Sequence, residues 1–210
     1  EIAVASTKAY VTQLAAVYLI AGYFAQLLGT VEKGEMERLV DELLSIHEKA
    51  EQLLEQEHKI KTLADSIAVH EHCFFIGRGM DYAVSMEGSL KLKEISYIHA
   101  EAYAAGELKH GTLALVEKGT PVICLATQDH VYEKSVSNIQ EVIARDAYTL
   151  AVVFEGDDNV SRIVDDVITI PRTLSCLSPI LSVIPLQLLA YYSAVKRGCD
   201  VDKPRNLAKS

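Results

Sequence analysis

The sequence predicts an α/β fold, a parallel sheet flanked by helices on both faces and preceded by a helical segment, on three observations. From Cys73 onward, short apolar runs rich in β-branched and aromatic residues alternate with helical patterns. Those runs carry no polar face, as expected of strands covered on both sides. The first third of the chain has helical periodicity throughout and no run that reads as a strand.

The first helix begins near Ser6 and Thr7, either of which can cap it, and ends around Gly29. A second spans about 33–56, where Met36, Leu39, Val40, Leu43, Leu44 and Ile46 recur at helical spacing among Glu and Lys residues. A third carries Ile60, Leu63, Ile67 and Ala68. Strands are expected at 73–76, 121–126, 149–154 and 167–170, with a helix after Gly77-Arg78-Gly79 and an internal helix over 178–195. The least regular stretch is 104–120, which holds three glycines.

With 210 residues, half of them apolar, the chain can bury a full core. A net charge of −9 excludes the basic face that nucleic acid demands, although a local basic pocket for a small anion is compatible with it. Cys73, Cys124, Cys176 and Cys199 lie far apart without a CxxC pair, which reads as reduced thiols in a cytoplasmic protein. Glu1-Ile2-Ala3-Val4 has no basic n-region of a signal peptide. The apolar stretch 14–25 is shorter than the roughly 18 residues of a membrane span. A second stretch, 178–195, is interrupted by Ser182, Pro185 and Gln187, so no membrane association is expected.

Several residue groups could carry chemistry. Gly77-Arg78-Gly79 at the end of the first strand presents backbone N–H groups where open α/β sheets bind ligands, or else makes only a tight turn. Tyr82 stands where a dinucleotide fingerprint needs its third glycine, which rejects a nicotinamide or flavin site. Glu87, Lys91 and Glu94 fall on one helical stripe, on the helix just past the ligand edge of the sheet. They form either a solvated ladder or, with a carboxyl lifted by burial beside an amine, a proton-exchanging site for a carbon acid. His110, bracketed by Gly106 and Gly111, is a surface residue or a proton donor to a sugar oxygen. His70 and His72 lack a third metal ligand at a recognisable spacing. In the polar, proline-broken tail, Lys209 suits Schiff-base chemistry if desolvated.

Four strings, residues 1–8, 87–110, 185–190 and 200–210 with its Pro-Arg-Asn-Leu-Ala-Lys run, together resemble glucosamine-6-phosphate synthase. The resemblance implies a three-layer α/β/α sheet of SIS (sugar-isomerase) type, flavodoxin-like, with residues 1–55 ending a first SIS lobe and 56–210 forming the second. It implies conversion of fructose 6-phosphate to glucosamine 6-phosphate with ammonia released from glutamine on a separate glutaminase domain, and no metal or organic cofactor. Carried over by residue, it makes Lys209 the Schiff-base amine, His110 the ring-opening group, and Glu94 the C1–C2 proton carrier with Lys91 beside it. Glu87 and Arg205 would support the site, and Val4, Ser6 and Ala208 would touch the sugar. His110 would be shared across a homodimer interface.

Two parts that the family needs, an N-terminal nucleophilic cysteine and a Ser/Thr-rich phosphate loop of the first lobe, are not in this sequence, so the piece alone is expected to be inactive. Ala3 and Thr112 stand where the family pattern has Gly and Pro. The competing expectation is a non-catalytic SIS module that binds a sugar phosphate as a regulatory signal.

Overall fold

The computed structural model of the chain describes residues 3–205. Among them the elements run α1 (Lys8–Leu28), α2 (Lys33–Leu54), α3 (Glu57–Ile67), β1 (His72–Gly77), α4 (Met80–Ser96), β2 (His99–Ala104), β3 (Pro121–Ala126), α5 (Tyr132–Ile143), β4 (Tyr148–Phe154), β5 (Asp166–Ile170) and α6 (Ser178–Lys196). All strand pairs are parallel, in the order β2-β1-β3-β4-β5. That is the flavodoxin-like doubly wound order.

Period-two alternation builds the two halves of the core. Cys73 and Phe75 of β1, Ile123 and Leu125 of β3 and Leu150 and Val152 of β4 point to one face, where they pack with residues of α3, α4 and α6. Phe74, Ile76, Val122, Cys124, Ala151 and Val153 point to the other, against Val136, Ile139 and Val142 of α5. Every residue of β3 is buried, which is why it reads as an unbroken apolar run.

Three local features differ from the sequence reading. The fifth strand, β2, was not expected: its His-Ala-Glu-Ala-Tyr-Ala has no β-branched residue, and it sits at the sheet edge, where one side needs no partner. The stretch after it, read as irregular, makes two 3-10 turns, Ala105–His110 and Thr112–Leu115. Thr7 is the N-cap of α1 but makes no side-chain cap hydrogen bond, whereas Gly29 closes the helix in the left-handed conformation as expected.

The helix around residues 14–25 is also longer than its apolar stretch. Both α1, at 21 residues, and α6, at 19, are long and apolar enough by length and composition to cross a membrane. In α6 two-thirds of that window is buried inside the fold, so its apolar character is that of a core helix. In α1 only 6% is buried, and Val17, Leu19, Ile20, Tyr23, Phe24, Leu27 and Leu28 are exposed. The helix is tied down on its other side: Gly22 lets Met36 and Leu39 of α2 approach, and the Tyr18 hydroxyl donates to the Cys176 carbonyl.

Candidate functional site

The turn from β1 into α4 is tight for steric reasons. A Cβ on Gly77 would lie 2.5 Å from the backbone carbon of Asp81, and Gly79 has φ +57° with ψ −129°, a conformation open in practice to glycine alone. Arg78 between them does not face a ligand. Its Nε donates to Asn138 Oδ1 of α5 at 2.8 Å, and its guanidinium lies against Gly106. This turn, at the β1/β3 switch point, is where the fold would hold an anion, but the crevice is filled from within. The fully buried carboxylate of Asp81 accepts the Thr127 N–H at 2.7 Å and the Thr127 hydroxyl. Gln128 Nε2 donates to Ser178 Oγ at 2.8 Å and to the Ser175 carbonyl at 3.1 Å. Burial pushes the Asp81 carboxyl up to about 6, against the hydrogen bonds that favour its ionised form.

The charged stripe lies elsewhere. Lys91 is the twelfth residue of α4, so at 1.5 Å per residue it stands about 16 Å along the helix from the ligand edge of the sheet. That distance corrects the reading that placed the stripe just past that edge. The stripe is not a solvated ladder either: side-chain exposures are 6% for Lys91, 13% for Glu87 and 14% for Glu94. Lys91 Nζ donates to Glu94 Oε2 at 2.8 Å and stands 3.7 Å from Glu87 Oε1. Desolvation lifts the Glu87 carboxyl above the ordinary carboxylate range, and the ammonium of Lys91 opposes that rise.

What buries the stripe comes from both ends of the chain. The Val4 N–H donates to the Asp202 carbonyl at 3.2 Å, which lays the N-terminal segment beside the C-terminal one over the last turns of α4. Asp200 organises that second segment, its Oδ1 accepting the N–H groups of Asp202 and Lys203 at 3.0 Å each. Between them is a pocket of about 490 Å³ lined by Val4, Ser6, Leu90, Lys91, Lys93, Glu94, Tyr97 and Arg205. Five of the residues singled out from the sequence, Val4, Ser6, Lys91, Glu94 and Arg205, therefore converge. Glu87 stands behind Lys91, outside the lining, and near enough to the Tyr10 hydroxyl to raise it further.

His110 is not brought to this pocket. It ends the 3-10 turn after β2, at the opposite edge of the sheet, is 75% exposed in its side chain, and stands 3.9 Å from Glu107. Ala208 and Lys209 lie outside the described residues. His72 turns towards neither His70 nor a metal set but towards His99 of β2, Nδ1 to Nδ1 at 3.2 Å. Three lining residues escaped sequence reading, the apolar Leu90 among them. Lys93 sits off the stripe, and Tyr97 follows α4 with φ +62°, a left-handed conformation that no sequence signal announces for a tyrosine.

The arrangement is a half-enclosed pocket with a carboxylate and an ammonium in hydrogen-bond contact on its wall and further cations at Lys93 and Arg205. It can take a proton from a carbon next to a carbonyl or imine and return it to the neighbouring carbon, while cations steady the negative charge that develops.

Comparison with known proteins gives a consistent pattern. A family model described as "SIS domain" matches residues 66–197. The glutamine–fructose-6-phosphate aminotransferase [isomerizing] of Clostridium tetani is 60% identical over all 210 residues, and the chain spans 34% of that relative's length. Among solved structures, the C-terminal domain of glucosamine-fructose-6-phosphate aminotransferase from Francisella tularensis superposes with a TM-score of 0.90 at 38% identity. That match covers 97% of this chain and 58% of the other. The sugar isomerase domain of an RpiR transcription factor from Sphaerobacter thermophilus has a TM-score of 0.64 at 20% identity, covering 80% of this chain and 93% of that one, and is alike in fold.

Proposed function

The chain belongs to the SIS domain family, and from that premise we propose that it is the sugar-isomerising part of a cytoplasmic glutamine–fructose-6-phosphate aminotransferase. The observation that carries this reading is the buried Lys91–Glu94 pair on the wall of a pocket shared with Val4, Ser6 and Arg205. A sensing module has no need of a desolvated acid–base pair beside its ligand, and maintaining one costs stability.

In the proposed reaction the amine of Lys209 condenses with the C2 carbonyl of open-chain fructose 6-phosphate, losing water to give an imine. Ammonia from glutamine displaces the lysine. Glu94 then removes a C1 proton as the imine nitrogen takes up a proton from solvent, and returns it at C2, the C1 hydroxyl losing its proton to solvent as the aldehyde of glucosamine 6-phosphate forms. Lys91 holds the Glu94 carboxylate in place and balances the charge of the enolamine-like intermediate. His110, remote from this pocket within one chain, acts in ring opening at the site of a second subunit, so the working unit is a homodimer. Residues 1–55 end a first SIS lobe, which with the glutaminase domain occupies the rest of the parent chain. The apolar face of α1 is the surface that lobe would cover, and the piece alone is inactive.

The test is ammonia-dependent formation of glucosamine 6-phosphate by the parent enzyme carrying Glu94→Gln. Turnover should fall by at least about a hundredfold, the lower range for a lost general base, with sugar binding retained. Unchanged turnover would make the stripe a structural ion pair and remove the mechanism.

A further inference from the structure

The turn that carries His110 is clamped from α5. Asn138 of that helix is 5% exposed and uses both ends of its amide: Oδ1 accepts from Arg78 Nε at 2.8 Å, and Nδ2 donates to Glu141 Oε1 at 3.3 Å. An amide accepts at one end and donates at the other, which neither a carboxylate nor an apolar side chain of that size can do. Each of its two partners then touches the 3-10 turn Ala105–His110. The Arg78 guanidinium lies so close to Gly106 that a Cβ there would stand 2.8 Å from Nη2, and Glu141 Oε1 is 3.0 Å from Lys109 Nζ. Gly106 and Lys109 are the second and fifth residues of the turn, and between them Leu108 is fully buried in the half of the core that α5 covers. Glu141 Oε2 is buried with no hydrogen-bond partner among the described residues, so the carboxylate is held through Oε1.

We propose that Asn138 is a positioning residue: through Arg78 and Glu141 it fixes the 105–110 turn, and so the place from which His110 is presented for opening the sugar ring. His110 itself is 75% exposed in its side chain, with Glu107 3.9 Å away, so its position is inherited from the turn. In ring opening the C2–O5 bond of the furanose breaks, the C2 hydroxyl loses its proton and O5 gains one. An imidazole that moves such a proton is sensitive to displacements of about 1 Å. The ion pair of Lys109, 64% exposed, would hold the turn only weakly by itself. The packing of Arg78 on Gly106 supplies the second point, and Asn138 joins the two. The ring-opening role of His110 rests on the reading above, whereas the clamp on the turn does not.

The experiment uses the full-length parent and two substrates, fructose 6-phosphate and its 5-deoxy analogue, which lacks the hydroxyl that closes the furanose ring and therefore stays open. The readout is the ratio of kcat/KM for the first to that for the second, in which any loss of folded enzyme cancels. Asn138→Leu breaks the clamp, Asn138→Asp with Glu141→Gln rebuilds it with amide and carboxylate exchanged, and His110→Asn removes the acting group. Hydrogen exchange of a peptide covering residues 105–111 reports on the turn itself.

Asn138→Leu should lower the ratio by about tenfold, inside the roughly hundredfold that a 1 Å displacement can cost, and should speed exchange of the turn by a similar factor. The exchanged pair should recover most of both effects, and His110→Asn should lower the ratio by about a hundredfold. A ratio unchanged in Asn138→Leu but lowered in His110→Asn overturns the positioning role. A ratio unchanged in both overturns the ring-opening reading and the positioning of His110 with it, while the clamp is still decided by exchange. Unchanged exchange in Asn138→Leu overturns the clamp whatever the ratio does.

Discussion

Replacing Lys91 by Met removes the one cation between two poorly solvated carboxylates and keeps a side chain of similar length. Lys91 is 4% exposed, with Glu94 at 2.8 Å and Glu87 at 3.7 Å. Breaking a buried pair by deleting one partner costs roughly 3–5 kcal/mol, because the other charge is left uncompensated. Glu94 reaches the pocket wall and Glu87 behind it keeps 13% of its side chain exposed, so the lower end, about 3 kcal/mol at pH 7.5, is expected here.

Most of that cost is electrostatic and should be recoverable with protons. Desolvation already lifts Glu87 and Lys91 opposes it, so without Lys91 the folded-state value rises further. A carboxyl raised in the folded state contributes stability at low pH that is lost as pH rises through its folded value. The deficit of Lys91→Met should therefore shrink by about half or more between pH 7.5 and pH 5, as the Glu87 carboxyl protonates. Urea midpoints at the two pH values, with unchanged slopes, measure it. A deficit equal at both would refute the electrostatic argument and make Lys91 a packing residue.

Gly88→Ala sets helix propensity against space. Alanine gains up to about 1 kcal/mol in a helix interior, but its Cβ would stand 2.6 Å from Leu186 Cδ1 and 3.0 Å from Phe75 Cε1. Overpacking of about 1–3 kcal/mol should win, lowering the thermal midpoint, whereas Gly34→Ala, with nothing within 4 Å, should raise it. Asp81→Asn removes a carboxyl held up to about 6. The stability of the unsubstituted chain relative to this variant should fall between about pH 4 and pH 6 by up to about 3 kcal/mol, and parallel urea titrations that did not diverge would contradict it. Thiol labelling should modify the exposed Cys176 readily and leave the buried Cys73 and Cys124 untouched until unfolding. Equal labelling rates would contradict the burial.

Four strands were legible because a strand covered on both faces has no polar side to confuse its pattern, as in β3. β2 was not, since at an edge its alternating Ala, His, Glu and Tyr resemble a loop as much as a strand. The stripe of Glu87, Lys91 and Glu94 was legible from spacing alone, but its burial was not. What covers it, the 3.2 Å bond from Val4 to Asp202, joins residues almost two hundred positions apart. The Asp81–Thr127–Ser178 network was invisible for the same reason, each member being unremarkable until the sheet order brings the three together. His110 and Lys209 were candidates by residue type, but only the family resemblance chose their roles over the bland readings, and Lys209 lies outside the described residues.

The filled switch point and the displaced stripe explain one another. A doubly wound sheet ordinarily offers its ligand a helix N-terminus and a glycine turn. Here the turn exists, with Gly77 and Gly79 as its sterically required members, yet a carboxylate of the chain itself occupies the space and Arg78 is pinned to Asn138. An anion entering there would meet Asp81 and would have to displace two hydrogen bonds from Thr127. The far half of α4 has no such plug, and it is roofed by segments from outside the sheet, residues 3–6 and 200–205. Under the proposed function this divides the labour: phosphate recognition falls to the other lobe of the parent. This lobe supplies a helix carrying the acid–base pair, roofed by residues 3–6 and 200–205. That division accounts for a chemically armed pocket lying about 16 Å from the crevice where the fold alone would have placed it.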